Sequence, residues 1–250
     1  MLAEINEHER DHRIRFDEIP HLYYIDGNRV DTSVTTLVHH YFEKFDADAI
    51  INKMMKGKNW KKSKYYGKTN DEIKQEWADN GLDATTKGTR LHKAIEDVYN
   101  GKTVDKEITE TTEYQQFLQF YEDHGDKLTA YRTEWEVFDE EANLAGSIDM
   151  VFKNVEDDTY SIYDWKRTKE IKKDGFAGNT GKYPMHNYQD CNFTHYSLQL
   201  NIYKYILETY YGLKIRDMFL ICMHPNYITY EKHQTLDLQE EVSIILNNRK

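Results

Sequence analysis

The chain has 250 residues, 39% hydrophobic and 31% charged, with a formal net charge of −11. That length supports one large domain with a substantial core, and that charge excludes a protein whose bulk positive charge alone draws in a polyanion. The two cysteines, Cys191 and Cys222, have no metal-ligand spacing and exclude a disulfide scaffold. They predict a reducing intracellular compartment, and with no membrane-length apolar run and no signal pattern, a soluble chain without a membrane partner.

In chain order, residues 1–13 are charged and predict a frayed segment or a short helix. Short strands follow at 14–16, 21–25 and 29–30, with Asp26-Gly27 as a hairpin turn. Thr32-Ser33 caps a helix through 39 or 40. His39 and His40 are adjacent on that helix, share no face and read as a helix end. A helix is expected over 45–55. The stretch after it carries Lys53, Lys56, Lys58, Lys61, Lys62, Lys64 and Lys68, with Trp60, Tyr65 and Tyr66 among them. Basic residues attract phosphates and interleaved aromatics stack on unpaired bases; a solvated charged loop is the competing reading.

Thr69-Asn70-Asp71-Glu72 opens a helix that ends near Asn80-Gly81. A second helix runs from Thr85 or Thr86 to Asn100-Gly101, with Leu91, Ile95 and Val98 as its apolar stripe. His92 and Glu96 are one turn apart on it, so Glu96 can orient His92. An amphipathic helix is expected over 113–124. Strands are expected over 131–138, 148–152 and 160–166, rich in β-branched and aromatic residues. The segment 174–194 carries Gly175, Gly178, Gly181 and Pro184 with little periodicity, and reads as a lid or binding loop. His186 and His195 lie in or beside it without an assigned role. A helix over 196–211, a buried strand over 215–223, a short strand over 227–230 and a helix over 238–246 complete the chain.

The chemistry concentrates in the three central strands. Side chains alternate along a strand, so Asp164 and Lys166 share a face and Trp165 takes the other. Asp149 on the neighbouring strand can face the same way. Two carboxylates and an ammonium then meet at one sheet edge, which is what metal-dependent phosphodiester hydrolysis requires. A surface Asp–Lys pair on an ordinary hairpin is the bland alternative for so short a pattern.

Asp149, fourteen residues, then Asp164-Trp165-Lys166 resembles the PD-(D/E)xK nuclease superfamily, with Ile148 in the place of the proline. Gln199-Leu200-Asn201-Ile202-Tyr203 is similar to the Q-x-x-x-Y element of its RecB-like branch, and Gly88-Thr89-Arg90-Leu91-His92 to that branch's G-x-x-x-H helix. These elements stand in the family's order across about residues 86–203. More loosely, His21 to Thr36 resembles the N-terminal region of phage and mitochondrial exonucleases of the superfamily. The abundance of Tyr, Lys, Asn and Ile, as AT-rich coding would produce, suggests a viral or phage source.

The resemblance implies an α/β fold with an αβββαβ core, a mixed central sheet flanked by helices. Residues 85–250 would form that core, and 1–84 an N-terminal lobe of strands and Lys-rich helices within the same globule. It implies Mg²⁺ or Mn²⁺, one or two ions, held by Asp149, Asp164, the Trp165 carbonyl and His92. Lys166 would position or activate the attacking water, Gln199 would orient a reacting group with Tyr203 supporting it, and Glu134 would add an acidic group from the preceding strand. Lys58, Trp60, Lys61, Lys62, Lys64, Tyr65, Arg167 and Lys169 would contact nucleic acid.

The expectation is a metal-dependent deoxyribonuclease, an exonuclease acting on single strands or duplex ends in replication, repair or recombination, where a protein partner could join it. A structure-specific endonuclease, an RNA-cleaving enzyme and an inactive nucleic-acid-binding subunit are the alternatives. A glycosidase built on two carboxylates would leave Lys166, Gln199 and Tyr203 without a role.

Overall fold

The structure is a computed structural model that describes residues 1–249. The N-terminal residues form a one-turn helix, α1 (Leu2–Ile5), then a three-stranded antiparallel sheet of β1 (Ile14–Asp17), β2 (Leu22–Ile25) and β3 (Asn28–Arg29). Asp26 and Gly27 both take positive φ at the tight turn between β2 and β3, which glycine adopts without steric cost. β4 (Thr32–Ser33) leads into α2 (Val34–His40), where the Ser33 hydroxyl accepts from the Thr36 amide at 3.1 Å and caps the helix.

α3 (Ala47–Met55) and α4 (Asn70–Tyr99) follow. The expected break at Asn80-Gly81 is absent, and α4 is continuous for 30 residues. The Asn80 amide bonds back to the Glu76 carbonyl at 2.7 Å instead of capping a new end. A Cβ at Gly81 or Gly88 would meet nothing within 4 Å, so these glycines reflect no close packing; each costs the helix about 1 kcal/mol without ending it.

Next come α5 (Lys106–Thr109), α6 (Thr112–His124), β5 (Leu128–Asp139), β6 (Leu144–Asn154) and β7 (Tyr160–Lys166). α7 (Asn192–Tyr210), β8 (Ile215–Cys222), β9 (Glu231–Gln234) and α8 (Gln239–Asn247) complete the described chain. The strand expected over 227–230 falls in a turn, and the polar segment just after it pairs instead.

The larger sheet is mixed and flanked by helices, an α/β architecture. β5, β6 and β7 are antiparallel neighbours, β7 pairs parallel with β8, β9 closes antiparallel on β8, and the short β4 pairs parallel with β6. One face of the sheet buries Ile162, Val151 and Leu220 against α2, α7 and α8 through Leu37, Leu198, Ile202 and Ile245. The other buries Met150, Phe152 and Trp165 against α6 and the end of α4 through Phe117, Phe120, Leu91 and Ile95. Because β7 is covered on both faces, it reads as a nearly continuous buried strand.

α7 is buried along much of its circumference, and even its polar Asn201 is fully bonded. The Asn201 amide donates to the Ser197 and Leu236 carbonyls, and its oxygen accepts from the Leu238 amide. Gly146 on β6 marks where α7 presses closest. A Cβ there would stand 2.7 Å from the Tyr203 hydroxyl oxygen and 2.8 Å from its ring. Gly146→Ala is therefore expected to cost about 1–3 kcal/mol, read as a lower urea midpoint; an unchanged midpoint would contradict this packing.

Contacts divide the chain into two units: Met1–Glu43 together with the chain from Leu91 onward, and Lys44–Arg90. The boundary expected at 84/85 falls inside α4. Within the Lys44–Arg90 unit, Ile51 and Ile73 are fully buried and the Trp77 indole donates to the Tyr65 hydroxyl at 2.8 Å. No helix among the described residues is long and apolar enough to cross a membrane.

Candidate functional site

Strand register builds the first part of the site. Thr133 pairs with Met150 and Trp135 with Ile148, which sets Glu134 across from Asp149. Like charges directly opposite on paired strands repel. Glu134 also takes a left-handed backbone with φ of 43°, which is uncommon for a non-glycine residue and a form of strain that collects at functional sites.

His92, from α4, lies between these carboxylates. Its Nδ1 is 3.6 Å from Glu134 Oε1 and 3.6 Å from Asp149 Oδ2. Its Nε2 lies 2.8 Å from the Trp165 carbonyl oxygen, to which it donates in the tautomer with a protonated Nε2. The Trp165 amide in turn donates to Asp149 Oδ2 at 2.9 Å. Burial works against a charged imidazole, yet Asp149 and Glu134 outweigh it and push His92 up to about 9. Burial raises the Asp149 carboxyl, opposed by His92 and Lys166.

Asp164 and Lys166 flank this triad. Asp164 is 2% exposed, and burial pushes its carboxyl up to about 6 despite Lys166. Lys166 Nζ touches Asp164 Oδ2 at 2.5 Å, but Oδ2 has no aligned hydrogen-bond partner. Burial favours loss of the Lys166 proton, but Asp164 and Asp149 overcome this and raise its pKa above the ordinary lysine value.

His92, Glu134 and Asp149 offer ligand atoms within 4.8 Å of one another. One nitrogen and carboxylate oxygens form a donor set suited to Mn²⁺ or Mg²⁺. The buried, hydrogen-bond-free Asp164 Oδ2 supplies a further anionic oxygen beside them. The residues thus fit a divalent ion, and a proton on His92 would compete with it.

Gln199 and Tyr203 follow from α7, one turn apart. The Gln199 amide contacts the Tyr203 hydroxyl at 3.4 Å, and Tyr203 is buried against Gly146, three residues before Asp149 on β6. Glu96 does not orient His92 as expected: it pairs with Lys93 at 3.0 Å, and the Trp165 carbonyl takes the orienting role. Two neighbours were missed in the sequence. The Ser147 hydroxyl contacts Glu134 Oε2 at 3.4 Å, and Lys166 Nζ sits 4.7 Å from the centre of the Tyr196 ring. Their only signals were position: Ser147 is two residues from Asp149, and Tyr196 is one turn before Gln199.

Among the expected nucleic-acid contacts, Lys58, Lys61, Lys62 and Lys64 are exposed, and Trp60 and Tyr65 are half-buried. Lys64 faces Glu76 at 3.8 Å and the Tyr65 ring at 4.6 Å. Lys169 is exposed, whereas the Arg167 Nε donates to Glu113 at 2.7 Å in a largely buried ion pair. His195 pairs with Asp190 at 2.8 Å and packs on Phe42.

No protein-family model and no curated protein matches the chain. Among solved structures, one titled "Crystal structure of SSO0001" is 12% identical, over 87% of this chain and 73% of its own, with a TM-score of 0.30. A likeness at that TM-score carries no argument.

Proposed function

We propose that the chain is a metal-dependent deoxyribonuclease of the PD-(D/E)xK type, with an exonuclease action on DNA ends. The observation that carries this reading is the convergence of His92, Glu134 and Asp149 beside the buried Asp164–Lys166 pair. The element order α6, β5, β6, β7, α7, β8, with β7 and β8 parallel, supports the αβββαβ core.

His92, Glu134, Asp149 and Asp164 would hold the ion, with the Trp165 carbonyl available beside His92. A bound Mg²⁺ or Mn²⁺ supplies Lewis-acid activation and neutralises charge on the phosphodiester. Lys166, kept protonated by its carboxylates, orients the attacking water and stabilises negative charge rather than taking a proton. The Gln199 amide, steadied by Tyr203, orients the scissile group.

The test is cleavage of 5′- and 3′-labelled single strands, the matching duplex and a closed circle with Mg²⁺, with Mn²⁺ and with EDTA. Metal-dependent loss of the linear substrates with the circle intact is expected, and the label gives polarity. A cut circle would replace the exonuclease reading with an endonuclease.

A further inference from the structure

The loop between β7 and α7 joins two elements of the candidate site: Lys166 ends β7, and Gln199 lies two turns into α7. It is long and polar, yet well anchored. Thr180 bridges to Gln189, the Gly181 amide donates to the Tyr188 carbonyl at 3.0 Å, and the Lys182 amide donates to the Tyr41 carbonyl at 2.7 Å. Met185 is fully buried in the core cluster that also contains Phe42, Leu198 and Tyr203. Gly181 lies so close that a Cβ would stand 2.7 Å from Met185 Cβ.

Against this rigid base, the outer surface carries rings. Tyr183 is 66% exposed and stacks on the exposed His186, with centroids 5.6 Å apart and planes 25° from parallel. Phe176 is 67% exposed in the same loop. Lys169, Lys172 and Lys173 are exposed just upstream, in a chain of net charge −11. A stacked pair held on an anchored turn has its ordering already completed, so a ring that adds to the stack pays less to bind.

We propose that Tyr183 and His186 form a stacking platform for an unpaired base of a single-stranded nucleic acid, with Lys169, Lys172 and Lys173 receiving its backbone. The role as part of a nuclease rests on the reading above; the platform itself does not. An aromatic face accepts any base, so the contact recognises single-strandedness rather than sequence.

The test is equilibrium binding in EDTA, where the strand stays intact, to a fluorescent single strand and to the same strand with abasic sites. The unsubstituted protein is expected to favour the base-bearing strand about tenfold. Tyr183→Ala and His186→Ala should each bring that ratio close to one, while Tyr183→Phe retains it. A ratio of one in the unsubstituted protein, or an unchanged ratio in both alanine variants, would overturn the platform. Base-dependent binding by a protein that cleaves nothing with Mg²⁺ or Mn²⁺ would keep the platform and remove the nuclease reading.

Discussion

Replacing Lys166 with alanine is expected to lower the rate of DNA cleavage about 10³-fold, with affinity for the strand changed little. Lys166 contacts the buried Asp164 oxygen, and its elevated pKa keeps it charged. On the proposed mechanism, removing it deletes a donor to the attacking water, and it leaves Asp164 without the Lys166 counter-charge. An uncompensated buried carboxylate costs about 3–5 kcal/mol, so the metal-free variant should melt lower than its parent. Mn²⁺ should restore part of that loss, because an ion held beside Asp164 would take over the compensation. Lys166→Arg keeps the charge without the compact ammonium and should recover stability more fully than rate. A Lys166→Ala protein that cleaves normally would remove Lys166 from the mechanism.

Asp149→Asn is expected to weaken Mn²⁺ binding about 10²-fold or more, while making the metal-free protein more stable, because burial disfavours the Asp149 charge. The opposite signs follow from the geometry. Asp149 lies across from Glu134, near Asp164, and burial disfavours its charge. Asparagine removes that charge while its oxygen can still accept from the Trp165 amide. On the proposed reading, concentrating carboxylates for an ion costs stability, so relieving that crowding should stabilise the chain as it weakens metal binding. Calorimetric titration with Mn²⁺ measures the first effect and urea unfolding in EDTA the second. A loss of stability without loss of Mn²⁺ binding would make Asp149 an ordinary structural residue.

The central strands were legible because their alternation and turns are local. Asp164 and Lys166 share a strand by period alone, and Gln199 and Tyr203 share a helical face by spacing. Other parts depend on distant partners. His92 meets the Trp165 carbonyl across 73 positions, a contact that neither segment encodes locally, whereas Glu96 was a nearer but incorrect candidate to orient it. The left-handed backbone at Glu134 departs from the ordinary preference of glutamate and sits between two regular pairs of β5 with β6, so no local residue pattern announces it. Asn80-Gly81 resembles a helix stop, but the backbone bonding of α4 runs through it. The 227–230 segment had the residues of a strand, yet pairing with β8 selected β9 instead. Edge position, rather than propensity, decided that element.

The most direct measurement is nucleotide release from a labelled single strand by protein prepared in chelator, followed before and after addition of Mn²⁺. The account predicts no release in chelator and rapid release once Mn²⁺ is in excess. Equal release in chelator, or none with either Mn²⁺ or Mg²⁺ on any DNA substrate, would contradict it.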